Sequence, residues 1–545
     1  MTPSIDNLRC QTQQTSSSAK PIPIRHVTEG SAISDSVHVQ RTEELLRLPH
    51  GKVTKVCCIG AGYVGGPTSA VMANKNPDLQ VTVVDLSIKR IEAWKSDQLP
   101  IYEPGLLDAV KLARDGDGGR KPNLFFSTDV DTAVREAELI LVSVNTPTKI
   151  TGTGAGRASE LSYFESAVRT IAEVATTDKI IVEKSTVPCR TAENMREILS
   201  AIGHPGVNFE ILSNPEFLAE GTAIPDLMEP DRILIGSLNT AAGLSAAAAL
   251  ADVYAAWVPR ENIITMNTFS SELAKLAANA LLAQRISSIN ALSAVCEATG
   301  ADIEEVSYAV GLDTRIGRKM LKASVGFGGS CFKKDVLSLA YISETLHLPE
   351  VAAYWRSVVD INEYQKDRFT KRIIQCLFNS LKNKKIAILG FAYKKDTGDT
   401  RESAAITVVE SLVAEDAKLS IYDPRVEEEQ VWSDLKQTHI GLPKMKENVT
   451  LCSSVYDACA DSHAVIILTE WDDTSSGMPR MDWAHVASVM RRPMFVFDGR
   501  NVVDKSKLED LGFRVECIGK PGSASFRERG SVPSGRKSSQ EGSPV

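Results

Sequence analysis

Ten consecutive residues, Gly326-Phe327-Gly328-Gly329-Ser330-Cys331-Phe332-Lys333-Lys334-Asp335, hold most of the chemistry legible in this sequence. Glycines let backbone come close to a ligand, and the run ends on one cysteine followed by two cations and a carboxylate. A cysteine at a helix start beside cations is biased toward the thiolate, the nucleophilic form. The bland alternative is a small buried packing residue. A second motif, Gly60-Ala61-Gly62-Tyr63-Val64-Gly65, has the spacing of a dinucleotide fingerprint, and Asp85 lies about 20 residues on, where it can accept from ribose hydroxyls. A carboxylate there repels a 2′-phosphate, so NAD is favoured over NADP. A hydride-accepting cofactor and an activated thiol together suit two successive oxidations, alcohol to aldehyde and sulfur-bound aldehyde to acid.

Other candidates sit at predicted strand ends or on helices. Glu216, in Asn214-Pro215-Glu216-Phe217-Leu218-Ala219-Glu220, follows an apolar strand and could relay protons or merely cap its loop. Val144-Asn145-Thr146 and Ser185-Thr186 occupy similar loops. Lys275 and Asn279 are four apart, on one helix face; they fit a site or a solvated surface pair. Lys394, Lys395 and Arg401 lie where a second α/β unit has its first loop, but without the three-glycine spacing. A basic loop there suits a diphosphate rather than a second NAD. Arg500, in Asp498-Gly499-Arg500, adds a cation.

These residues need a frame. Apolar strands at 53–59, 81–85, 139–144, 179–183, 209–212 and 232–235 alternate with helical segments, which predicts an α/β fold with a doubly wound parallel sheet. A helix over 269–299, capped by Ser270 or Ser271 and stopped by Gly300, is long enough to join two domains. A second Rossmann-like unit follows, with strands at 384–390, 419–423, 464–468 and 494–498 and a helix from Ser403 to Glu415. The predicted order is a disordered leader (1–52, with a short helix near 43–46), an NAD-binding domain (53–268), a central helical dimerisation domain carrying the cysteine loop (269–383), a second Rossmann-like domain (384–520) and a disordered tail (521–545).

The 545 residues, 43% hydrophobic and 24% charged with a net charge of −8, describe an ordinary globular chain and disfavour nucleic acid. No apolar run is long enough for a membrane span, and the start lacks a signal peptide's apolar core. Ten scattered cysteines show no zinc-ligand spacing, so no metal is expected, and they fit a reducing cytoplasm. Cys57 and Cys58 read as strand packing. A one-step hydroxyacid dehydrogenase with a structural Cys331, and a catalytically silent NAD binder, are the rival classes.

Six motifs in order carry a resemblance from about Lys55 to Lys520: residues 60–66, 99–105, 183–188, 212–221, 326–331 and 497–500. On them the chain resembles the UDP-glucose 6-dehydrogenase branch of the UDP-glucose/GDP-mannose dehydrogenases, and residues 284–290 look animal-type rather than short bacterial. The resemblance implies oxidation of UDP-glucose to UDP-glucuronate with two NAD, supplying nucleotide-sugar and polysaccharide precursors; GDP-mannose or UDP-N-acetylmannosamine would be alternative substrates. It implies Cys331 as the thiohemiacetal and thioester nucleophile, Glu216 as acid/base, and Lys275 as stabiliser of oxygen charge. Asn279 and Asp335 would orient sugar and water, and Thr186 would position water or the nicotinamide side. Cofactor contacts would come from Gly60, Gly62, Tyr63, Val64, Gly65, Asp85, Arg90, Val144, Asn145, Thr146, Ser185, Thr186, Glu220 and Arg401. Sugar-nucleotide contacts would come from Glu216, Phe217, Leu218, Glu220, Lys275, Asn279, Lys322, Phe327, Gly328, Tyr393, Lys394 and Arg500, with Arg315 supplied by a neighbouring subunit. That implies a homo-oligomer, at least a dimer, with a hexamer suggested by the animal-type likeness. Tyr393 stands where the family leads one to expect Phe, and Asp115-Gly116-Asp117-Gly118-Gly119 is an insertion the resemblance does not explain.

Overall fold

The structure is a computed structural model that describes residues 51–471 and 481–522. The leader's short helix and most of the expected tail lie outside these residues. Two sheets organise the chain. The first contains β1 (Lys55–Ile59), β2 (Gln80–Val84), β3 (Leu124–Ser127), β4 (Leu139–Val142), β5 (Lys179–Glu183), β6 (Phe209–Ser213), β7 (Ile233–Ser237) and β8 (Ile263–Asn267), in the order β3-β2-β1-β4-β5-β6-β7-β8. The second contains β9 (Lys385–Leu389), β10 (Lys418–Tyr422), β11 (Val449–Leu451), β12 (Ala464–Ile467), β13 (Phe495–Asp498) and β14 (Arg514–Cys517), in the order β11-β10-β9-β12-β13-β14. The second sheet, and the first six strands of the first, share the 3-2-1-4-5-6 order of a doubly wound dinucleotide fold.

The expectation of an all-parallel first sheet needs one correction. β6 and β7 pair antiparallel, and β7 and β8 then run parallel to each other. An apolar strand buried on both faces looks the same in sequence whichever way it runs. Strand pleating sends alternate residues to opposite cores: Val56 and Cys58 face one, Cys57 and Ile59 the other. The two cysteines are therefore packing residues on opposite faces of β1.

A helix, α1 (Gly65–Lys75), follows β1 directly. The inserted loop finds a use at its far end. Asp117 and Arg120 close a tight turn, and the Arg120 guanidinium donates to Ala73 O at 2.6 Å and Asn74 O at 2.8 Å, carbonyls left over at the end of α1. Further helices that matter for the site are α2 (Thr191–Ile202) and α3 (Ala241–Tyr254).

The long helix, α4, runs Thr268–Thr299 and spans about 48 Å. Its cap is Asn267 rather than Ser270 or Ser271: Asn267 Oδ1 accepts from Ser270 N–H at 2.8 Å. β8 ends on that same Asn267, so strand passes straight into helix. Gly300 closes it in the left-handed region, φ 86°. Near its start, Ser271 bonds Ser213 of β6 at 3.0 Å; near its end, Glu297 accepts from Gly519 N–H at 2.8 Å. The helix thus joins both α/β units. α5 (Phe332–Thr345) and α6 (Pro349–Cys376) pack on it through Ala280, Ala283, Phe327, Val336, Leu339, Val358 and Val359. In the second unit α7 (Ala404–Ala414) is capped by Ser403.

Candidate active site

Cys331 is the N-cap of α5 and is exposed. Its glycine loop is clamped from α6. Asn362 accepts from Phe327 N–H at 2.8 Å and donates to Phe327 O at 3.0 Å, while a Cβ on Gly326 would sit 2.9 Å from Asn362 Oδ1. Asn290 of α4 accepts from Ser324 N–H at 2.9 Å. On the other side, Cβ atoms on Gly328 and Gly329 would strike Tyr393 at 2.8 and 2.9 Å. The glycines are therefore needed for close packing as well as for ligand access. Phe327 itself is buried, edge-on to Phe332; any sugar contact from residue 327 would come from backbone.

The buried side of the site comes from one face of α4. Asn279 donates to Asp335 Oδ2 at 2.6 Å, and Asp335 also pairs with Lys334 at 2.6 Å. Lys275 is buried against the Phe217 ring, 5.0 Å from its centroid, and within the fields of Cys331, Asp335 and Glu216. Burial pulls its pKa down further than those negative neighbours raise it. Of the two open readings for Lys275 and Asn279, the solvated surface pair is excluded.

Glu216 lies just past β6. Its Oε1 accepts from the backbone N–H of Phe217 at 2.8 Å and Leu218 at 3.1 Å; its Oε2 pairs with Lys184 Nζ at 2.9 Å. Burial would raise its pKa, but Lys184, those N–H groups and Lys275 outweigh it, so the carboxyl lies below its usual range. Neighbouring Glu220 goes the other way. Burial and the adjacent Asp399 raise it, although Arg401 bonds both carboxylates, Glu220 at 3.0 Å and Asp399 at 2.5 Å.

The residues present fit NAD at the first unit. Gly60 has φ 107°, and its Cβ would meet Ser143 O at 2.4 Å; a Cβ on Gly65 would meet Gly60 O at 2.0 Å; the space beside Gly62 is open. Val64 is the N-cap of α1, whose first N–H groups can face a pyrophosphate. Asp85 accepts from Ala61 N–H at 3.0 Å and pairs with Arg90 at 2.9 Å. Tyr63 donates to Glu103, which also accepts from Gly221 and Ala223 N–H, so the glycine loop is tied to the loop carrying Glu216 and Glu220. Ser185 Oγ donates to Val144 O at 2.6 Å and Thr146 Oγ1 to Thr186 O at 2.8 Å, locking the two expected strand-end loops together; Asn145 is exposed.

The second unit repeats the device with only the first of its glycines, Gly390, which has φ 95°. Asp423 accepts from Phe391 and Ala392 N–H at 2.6 and 3.0 Å, as Asp85 does for Ala61. Lys394 lies over the Tyr393 ring, and Arg500 is largely committed to Leu468 O, Tyr393 O and Glu470. Lys322 is exposed. Arg315 is far out in solvent, 88% exposed, and among the described residues its side chain pairs with Asp313 alone, so this chain does not bring it into its own site. Sequence reasoning passed over Asn362 and Lys184. Neither carries a local signal, because their partners are 35 and 30 or more residues away.

Sequence profiles of the UDP-glucose/GDP-mannose dehydrogenase family match in three parts: its NAD binding domain over residues 54–258, its central domain over 269–364 and its UDP binding domain over 387–505. The chain is 58% identical over 479 residues to UDP-glucose 6-dehydrogenase 1 of Oryza sativa subsp. japonica, covering 86% of this chain and 98% of the relative. It is also 58% identical over 468 residues to UDP-glucose 6-dehydrogenase of Drosophila melanogaster, covering 86% and 96%. Among solved structures, a UDP-glucose dehydrogenase from the hyperthermophilic archaeon Pyrobaculum islandicum superposes with a TM-score of 0.72 at 30% identity, covering 87% of this chain and 99% of that one.

Proposed function

The chain belongs to the UDP-glucose/GDP-mannose dehydrogenase family, and we propose that it oxidises UDP-glucose to UDP-glucuronate with NAD. NAD, when bound, accepts a hydride at each of two oxidations. Gly60, Gly62, Tyr63, Val64, Gly65, Asp85 and Arg90 would hold it, with Val144, Asn145, Thr146, Ser185, Thr186, Glu220 and Arg401 around its far end. Residues 53–268, 269–383 and 384–520 would serve as cofactor, central and UDP-sugar domains. Nine free cysteines among the described residues support a reducing, cytoplasmic setting. No helix among those residues is long and apolar enough to cross a membrane.

The observation that carries the mechanism is Cys331, exposed at a helix start with buried Lys275 and the Asn279–Asp335 pair behind it. The 6-hydroxyl loses its proton toward Glu216, directly or through water. Cys331 sulfur then adds to the aldehyde carbon, whose oxygen takes up negative charge beside Lys275. After the second oxidation a thioester remains on Cys331. Water oriented by Asp335 and Asn279 adds to it, and the carbon–sulfur bond breaks to release carboxylate and thiol. Phe217, Leu218, Lys322, Phe327, Gly328, Tyr393, Lys394 and Arg500 would surround the sugar nucleotide.

The direct test is NADH formed per UDP-glucose consumed, run to completion. Two per sugar is expected. One would mean that the aldehyde is released and Cys331 does not trap it. None, with turnover of GDP-mannose or UDP-N-acetylmannosamine, would move the activity to another sugar.

A further inference from the structure

Lys184 is a buried charged group to which the mechanism above gives no part. It is the last thing one expects inside a Rossmann sheet: a lysine 2% exposed, immediately after β5. Its ammonium has three protons and three acceptors. Glu216 Oε2 lies at 2.9 Å, Asn214 Oδ1 at 3.0 Å and the Tyr254 hydroxyl oxygen at 3.1 Å. The acceptors are themselves fixed. Tyr254 donates to Asn214 Oδ1 at 2.7 Å, and Asn214 donates to Leu234 O on β7 at 2.7 Å. Tyr254, the last residue of α3, is 2% exposed. Three elements thus converge on one cation, whose remaining neighbour is the carboxylate facing the sugar site.

A buried cation of this kind is costly unless its partners are all in place, and removing one partner leaves the other charge stranded. An apolar side chain of similar volume would fill the space but would leave Glu216 Oε2, Asn214 Oδ1 and the Tyr254 hydroxyl without that donor. We propose that Lys184 and Tyr254 are positioning residues for the reaction: the fixed ammonium holds Glu216 as a carboxylate, in one rotamer, ready to accept at the sugar. This rests on the assignment of Glu216 to the sugar site above. Without the ammonium, Glu216 would keep two backbone N–H donors, the long 3.5 Å hydrogen bond from the Thr68 hydroxyl and the more distant Lys275, but would face a buried, partly apolar setting, which favours the neutral acid. The charged and titratable groups around it are Lys184, Lys275 and, beyond Lys184, Tyr254 and Cys58; Asp335 and Cys331 act on it through Lys275.

The test is the pH profile of kcat/KM for UDP-glucose in full-length Lys184→Met, Lys184→Arg and Tyr254→Phe. Lys184→Met is expected to lose at least about tenfold at pH 7 and to recover as pH rises to about 9, its acid limb moving up by one unit or more. Tyr254→Phe, a milder change that keeps the ring, should move the limb the same way by less, and Lys184→Arg should restore most of the wild-type profile. NAD binding and melting temperature confirm that each variant is folded. A loss that is even across pH in the folded variants, or an acid limb that stays put, overturns the proposal. Glu216→Gln separates this from the parent assignment. If Glu216→Gln is as active as wild type, Glu216 has no role at the sugar and the mechanism above fails first. If it is impaired, adding Lys184→Met to it should produce no further pH shift.

Discussion

Cys331 distinguishes a four-electron enzyme from a two-electron one, and replacing a single atom tests it. In Cys331→Ser the hydroxyl can still add to the aldehyde, and the adduct can still be oxidised. The product is then an oxygen ester, which lacks the good thiolate leaving group. Turnover to UDP-glucuronate should fall by roughly a thousandfold or more, in the range seen when an activated nucleophile is removed. Intact-protein mass spectrometry after incubation with UDP-glucose and NAD should show the sugar nucleotide bound to the chain. Rapid acid formation by this variant would end the nucleophile assignment. Tyr393, by contrast, keeps the ring expected at its place: that ring walls the glycine loop at Gly328 and Gly329, and its hydroxyl faces the Glu220–Asp399 pair.

Two neighbouring residues at the end of β5 show how one element serves both faces of a sheet. Lys184 turns to Glu216, and Glu183 turns the other way, fully buried beside Glu272 on the first turns of α4. Glu272 meanwhile accepts from Arg190 N–H at 2.6 Å and Ala192 N–H at 3.0 Å, fixing the start of α2. Burial, then the Glu272 charge, push Glu183 well above the usual carboxyl range; Arg196 opposes this weakly. The sign follows. The native state keeps a proton that the unfolded chain releases near pH 4.3, so this contribution is complete below that pH and declines as pH rises toward the folded value. Glu183→Gln removes the titration and keeps the shape. It should melt about 2–6 °C above wild type at pH 7, with the gap closing near pH 4. Melting curves that run parallel from pH 4 to 8 would show that Glu183 is not held protonated. β5, which ends on Glu183, was plain in the sequence, as were β1, β2, β9, β10 and the helix from Ser403, because runs of β-branched residues and their stop signals are local. β3, β8, β11 and β14 were not: β11 and β14 are only three and four residues long, and β3 and β8, although rich in strand-forming residues, were not distinguished from the helical segments around them. The Cys331 loop, Lys275 and Asn279 were legible as motifs, whereas Lys184 acquires meaning only when the ends of β5, β6 and α3 meet.

At the scale of the whole molecule the site looks unfinished, and the surface says where the rest would come from. Leu281, Leu292 and Val295 of α4 are exposed, the first two three turns apart on one stripe, and Tyr308 and Leu312 on the following segment are more than half exposed. A group of exposed apolar side chains on one segment is a common mark of a protein–protein contact, and Arg315, three residues after Leu312, is 88% exposed. We propose that a second copy covers this face and receives Arg315 into its sugar site. Sedimentation should then give a mass of at least two chains at micromolar concentration. The sharper experiment uses two inactive variants. Arg315→Ala keeps Cys331 but lacks the arginine, and Cys331→Ser keeps the arginine but lacks the nucleophile. Each alone should be nearly inactive. If a twofold pair exchanges subunits freely, half of the assemblies in an equal mixture contain one chain of each kind, and one of their two sites is complete, so activity should return to about a quarter of wild type. A mixture no more active than its parts, with exchange confirmed by mass, would confine Arg315 to its own chain and leave the apolar face to some other occupant.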